Sequence, residues 1–85
     1  MADVEIYTRM MCGYCVRAKR LLAMRGVDYK EIPIDGDQGS RAAMIERANG
    51  RSTVPQIFIN GEHVGGCDDL FELEQDGRLA ELLAA

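Results

Sequence analysis

With 85 residues, 47% hydrophobic and 28% charged, the chain has the make-up of a small globular protein and room for one domain, 1–85. Ten basic residues against fourteen acidic ones leave a net charge of −4. That balance argues against a general affinity for nucleic acid or for anionic membrane surfaces, since both need clustered positive charge.

The predicted elements alternate. Val4-Glu5-Ile6-Tyr7 alternates in polarity and is rich in strand formers, which predicts a first strand. Apolar residues then recur at helical spacing from Cys12 to Arg25, with Cys15, Ala18 and Leu22 on one line and Tyr14 and Leu21 beside it. Gly26 is a helix stop. Asp28 to Ile34 alternates again and predicts a second strand ending near Pro33. Ser40 is expected to cap a second helix, which carries Met44, Ile45 and Ala48 on one face and ends at Asn49-Gly50. Pro55 introduces the apolar strand Gln56-Ile57-Phe58-Ile59. Asn60-Gly61 predicts a tight hairpin, because both positions accept positive φ, and Glu62 to Gly65 is the return strand. Asp68 or Asp69 should open a third helix containing Leu70, Phe71 and Leu73. Gly77 closes it, and Leu79, Leu82 and Leu83 point to a last helical turn or two. The order is therefore β-α-β-α-β-β-α, an α/β arrangement. Its β-α-β unit demands a parallel pair with a right-handed crossover. One mixed four-stranded sheet with helices on both faces accommodates that pair and the hairpin.

The N-terminal residues carry no basic leader followed by an apolar stretch, and no apolar run approaches the ~20 residues of a membrane helix. The expectation is a cytoplasmic protein. In that compartment thiols are kept reduced, so a close cysteine pair points to catalysis, regulation or metal binding more than to a structural staple. The odd count of three cysteines agrees.

Cys12-Gly13-Tyr14-Cys15 is the strongest chemical signal. Residues three apart on a helix share a face at about 5–6 Å. A disulfide needs a separation of that size, so the pair can open and close with little backbone movement. The first cysteine falls at the helix N-terminus, where unpaired N–H groups and the macrodipole favour thiolate, the attacking species. Cys15, one turn further in, should be less exposed and less acidic. These positions make Cys12 the nucleophile and Cys15 the thiol that resolves its mixed disulfide. A zinc site is the rival, but it commonly takes two such pairs or a pair with two histidines, and the one further cysteine, Cys67, and one histidine, His63, are too few and oddly placed for that. No metal ligands are therefore assigned.

Two further motifs carry a resemblance: Thr53-Val54-Pro55 before the third strand and Gly65-Gly66-Cys67-Asp68-Asp69 after the fourth. Together with the cysteine pair they make the whole chain similar to the small bacterial dithiol glutaredoxins of the thioredoxin superfamily. The resemblance implies a thioredoxin-like fold and a glutathione-dependent reduction of protein disulfides and glutathione mixed disulfides. Glutathione is then the co-substrate, disulfide-containing or glutathionylated proteins are the partners, and a monomer is expected. Pro55, which on sequence alone simply starts a strand, matches the family's cis-proline beside the redox pair. The backbone of Val54 would pair with the glutathione peptide as an added strand does. Cys67 and Asp68 match the turn that takes the γ-glutamyl end, with Asp68 suited to an ammonium; Asp69 fits a helix cap equally well. Thr53 could lend a hydroxyl to the same ligand, Arg9 stands near the glycyl carboxylate, and the ring of Tyr14 flanks the tripeptide. The Cys67 backbone, not its sulfur, is expected to matter, and His63 is expected to face solvent.

Gly13 departs from the proline usual in the family. A small residue there keeps a second reading open, an iron–sulfur cluster held between two subunits by Cys12 and glutathione. A third is a glutaredoxin-like reductase fed by thioredoxin reductase, against which the glutathione-site residues Thr53, Cys67 and Asp68 count.

Overall fold

The computed structural model describes residues 2–85. Alternation in the first strand does what period-two patterning requires. In β1 (Val4–Thr8) the side chains of Val4 and Ile6 enter one core and that of Tyr7 enters another. β2 (Lys30–Pro33) pairs parallel to β1, β3 (Gln56–Ile59) pairs antiparallel to it on the other side, and β4 (Glu62–Gly65) closes the order β2-β1-β3-β4. This is the mixed four-stranded sheet expected. β2 is shorter than its alternating sequence, although the Ile34 N–H still donates to Thr8 O at 2.8 Å.

Helices α1 (Gly13–Met24), α3 (Cys67–Gln75) and α4 (Arg78–Ala84) cover one face. Their Ala18, Leu21, Leu22, Leu70, Leu79 and Leu83 pack with Val4, Ile6, Ile57 and Ile59. Each buried Leu or Ile contributes about 1.5–3 kcal/mol, so this cluster carries most of the apolar stabilisation. Helix α2 (Gln38–Arg47) covers the other face with a smaller cluster of Met44 and Ala48 on Tyr7 and Phe58. There Arg47 lies over the Phe58 ring at 4.1 Å and forms an ion pair with Glu5 at 2.8 Å. The Asn60-Gly61 turn takes positive φ at both residues, 53° and 81°, as a primed hairpin turn requires. No helix among the described residues is long and apolar enough to cross a membrane.

Three local expectations are corrected. Asp37, not Ser40, caps α2. Its carboxylate accepts from the Ser40 N–H at 3.1 Å and the Ser40 hydroxyl at 2.9 Å, so the stronger acceptor takes the cap and the serine joins the first turn. Helix α3 starts at Cys67, ahead of both aspartates, because Gly66 is the N-cap and Asp69 reaches back to its N–H. His63 does not simply face solvent. It is half-buried, tilted against Phe58 at 5.1 Å, and its Nε2 lies 2.7 Å from Gln56 Oε1.

Candidate active site

Cys12 is the N-cap of α1. It has extended backbone (φ −110°, ψ 105°), and its Sγ accepts the Cys15 N–H at 3.2 Å. The sulfur thus does for the helix what a serine oxygen usually does, taking up one of the N–H groups left unpaired in the first turn. The positive end of the α1 macrodipole lies at this sulfur. Cys12 is 8% exposed, and its Sγ is 3.8 Å from the Val54 carbonyl oxygen.

Cys15 stands one turn deeper and is 1% exposed. Burial pushes its thiol up to about 12, and the Cys12 sulfur adds to this both as hydrogen-bond partner and as charge. The backbone N–H of Arg9 and the ammonium of Lys19 pull the other way. At neutral pH Cys15 is therefore a thiol. One helical turn separates two sulfurs of unequal character.

A cleft of about 340 Å³ is lined by Tyr14, Arg51, Thr53, Val54, Pro55, Gly66, Cys67, Asp68 and Asp69. The Val54–Pro55 peptide is cis. Gly65 turns the chain at φ 119°, and a Cβ there would run into the Asp69 carboxylate and come within 2.9 Å of Arg51 Nη1, so the close approach needs glycine. Asp69 accepts the Gly66 N–H at 2.8 Å and pairs with Arg51 at 3.1 Å. The backbone donor first, and Arg51 after it, hold the Asp69 carboxyl below the usual carboxylate range. Asp68 stays exposed at the cleft, whereas Cys67 is buried and its burial raises the thiol. Gln56, wholly buried, donates through Nε2 to Thr53 O at 3.0 Å and Thr53 Oγ1 at 3.3 Å, and so fixes the loop ahead of Pro55.

A second cavity, of about 470 Å³, is lined by both redox cysteines together with Thr8, Arg9, Met10, Met11, Val16, Lys19, Glu31, Pro33 and Asp35, among others. Lys19 Nζ and Thr8 Oγ1 both donate to Glu31 Oε2, at 3.0 and 2.7 Å. Among the described residues, no three His, Cys, Asp or Glu side chains are grouped to hold a metal ion.

Comparison with known proteins fits this geometry. The family model described as Glutaredoxin matches residues 4–64. The chain belongs to the glutaredoxin family. It is 57% identical over 83 residues to Glutaredoxin 3 of Escherichia coli K12, covering 98% of this chain and 99% of that one. It is 53% identical over 85 residues to a glutaredoxin of Pseudomonas aeruginosa, covering both chains completely. Among solved structures, a buckwheat glutaredoxin–glutathione complex superposes with a TM-score of 0.88 at 35% identity, over 98% of this chain and 77% of that one. The solution structure of a Brucella melitensis glutaredoxin gives 0.85 at 55% identity, over 98% and 89%. The fold is accordingly thioredoxin-like, and the protein is a thiol–disulfide oxidoreductase with a redox-active cysteine pair.

The cleft brings together six residues singled out in the sequence: Tyr14, Thr53, Val54, Pro55, Cys67 and Asp68. Arg9 is not among its lining residues. It lines the second cavity and a third, of about 350 Å³, which it shares with Thr53 and Val54. Sequence reading missed Arg51, Gln56, Lys19 and Glu31. Arg51 and Gln56 flank Thr53-Val54-Pro55, and that adjacency is the one signal that pointed to them. The Lys19–Glu31 pair joins a helix to the neighbouring strand, and no local pattern announces it.

Proposed function

We propose that the protein reduces protein disulfides and glutathione mixed disulfides at the expense of glutathione, acting as a monomer in the cytoplasm. Cys12 is the nucleophile and Cys15 the resolving thiol. The observation that carries this reading is the contrast within one helical turn: a helix-capping sulfur 3.8 Å from the carbonyl of Val54, which lines the cleft, and a second, more deeply buried sulfur one turn on. The Cys12 thiolate attacks one sulfur of a client disulfide, a Cys12–client bond forms, and the other client sulfur leaves as thiolate. Cys15 then attacks Cys12 Sγ, which frees the second client thiol and leaves the Cys12–Cys15 disulfide. One glutathione thiolate opens that disulfide to a Cys12–glutathione adduct, and a second removes the adduct as glutathione disulfide. The first glutathione, while joined to Cys12, is held in the cleft, its γ-glutamyl ammonium at Asp68 and its backbone along Val54, with Tyr14 and Thr53 at its sides, Cys67 contributing backbone and Arg9 near the glycyl carboxylate. Pro55 shapes that backbone. Glutathione dependence fits the family to which the chain belongs.

The deciding experiment is an assay with glutathione, glutathione reductase and NADPH on a small glutathione mixed disulfide. NADPH oxidation that needs both the protein and glutathione is the expected result, and Cys12→Ser should abolish it. Turnover with thioredoxin reductase and NADPH but not with glutathione would replace this reading by the thioredoxin-reductase-fed one. The iron–sulfur reading draws on Gly13, which is exposed and whose added Cβ would meet nothing within 4 Å. A cluster would need ligands from a second subunit and glutathione, so a coloured dimer prepared anaerobically with iron and sulfide is its signature.

A further inference from the structure

The resolving step poses a problem that the cleft does not address. Cys15 must attack as a thiolate from a position 1% exposed. While Cys12 is free, its sulfur and burial both oppose ionisation of Cys15. Once Cys12 is tied up in a mixed disulfide its sulfur bears no charge. Burial then remains, opposed by the Arg9 backbone N–H and by one side-chain charge, that of Lys19.

Lys19 follows Cys15 by one helical turn, on the same face of α1, and both line the cavity that also holds Thr8 and Glu31. Its ammonium does not swing freely. Glu31 Oε2 holds Nζ at 3.0 Å, and Thr8 Oγ1, from a residue 2% exposed, holds the same carboxylate oxygen at 2.7 Å. Thr8, which braces Glu31, ends β1 and directly precedes Arg9, whose backbone favours the Cys15 thiolate.

Resting on the resolving role assigned to Cys15, we propose that Lys19, held by Glu31 and Thr8, is a positioning residue for the resolving step, its fixed charge favouring the Cys15 thiolate as that thiolate attacks Cys12 Sγ. The balance closes within the complex. Cys15 gives up its proton, the Cys15–Cys12 bond forms as the Cys12–client bond breaks, and the departing client thiolate takes up a proton. No external oxidant or base enters. The role is confined to the dithiol route, because removal of glutathione from a client needs Cys12 alone.

A single-turnover experiment separates the steps. Reduced protein in excess is mixed with a peptide disulfide whose two thiols report separately, the first on Cys12 attack and the second on resolution. A mostly protonated thiol that loses one unit of pKa assistance reacts about threefold more slowly, since the higher intrinsic nucleophilicity recovers roughly half of the lost ionisation. For Lys19→Met the expected result is a second phase slower at pH 7 by up to about threefold, with its pH profile moved upward. Lys19→Arg should restore both, and Arg20→Met, on the exposed side of the same helix, should change neither. A second phase in Lys19→Met that keeps the wild-type rate and pH profile overturns the proposal, as does a Lys19→Arg variant no better than Lys19→Met. A wild-type protein with no second phase at all would instead remove the resolving role of Cys15 itself.

Discussion

The cleft and the cavity lined by the two redox cysteines are organised by different means. Around the cleft, the parts are turns and helix ends: Gly65 in left-handed backbone, Gly66 as N-cap, the cis Val54–Pro55 peptide, and an exposed Asp68. Around Cys15, the parts are side chains from three separate elements locked to one another, Thr8 and Glu31 from adjoining strands and Lys19 from α1. The first arrangement suits a ligand that arrives from solvent and must find donors and acceptors already facing it. The second suits a thiol that never leaves the protein and must change charge without water. Backbone turns shape the cleft, and a side-chain network flanks Cys15.

Substitutions can break this division. The largest effect expected is from Cys15→Ser, which should lose reduction of protein disulfides and keep removal of glutathione from mixed disulfides; equal loss of both, measured side by side, would erase the distinction. Gly65→Ala should cost about 2 kcal/mol, because a Cβ at φ 119° strains the backbone and displaces the Asp69 cap. The shift in denaturant midpoint measures it. Asp68→Ala should raise KM for a glutathione mixed disulfide about tenfold, the size of one charge-assisted hydrogen bond, without a matching fall in stability. Thr8→Val should cost about 1 kcal/mol, the worth of one part-buried hydrogen bond. The smallest effect is a pH dependence. The hydrogen bond from Thr8, and after it Lys19, lower the Glu31 pKa, so the stability Glu31 contributes is present above its ordinary pKa and lost as pH falls through the lower folded value. Thr8→Val, by removing the first cause, should flatten that acid slope in unfolding midpoints taken from neutral to acid pH.

Much of this was legible before the structure because it is local. The cysteine pair, the Asn60-Gly61 hairpin and the alternation of Val4 to Tyr7 each carry their meaning within a few residues. The cleft was legible only through resemblance, since Tyr14, Thr53 and Asp68 lie far apart in the chain and are assembled by sheet order. Caps were misread where two acceptors competed: Asp37 outranks Ser40 as a carboxylate outranks a hydroxyl, and Asp69 acts from inside the helix, not ahead of it. The Lys19–Glu31 and His63–Gln56 contacts escaped because nothing in the spacing of either pair distinguishes it from two solvated residues.

The two outer strands bear on how the molecule behaves in company. Each presents a row of unpaired backbone groups that a second chain could extend. β2 is four residues long and places Lys30, Glu31 and Pro33 along that border. β4 is equally short, and its pairing with β3 shifts register between Ile57 and Phe58. Charge, proline and irregularity are devices that discourage sheet extension and aggregation. Both borders of the sheet are thereby kept from becoming templates for a further strand.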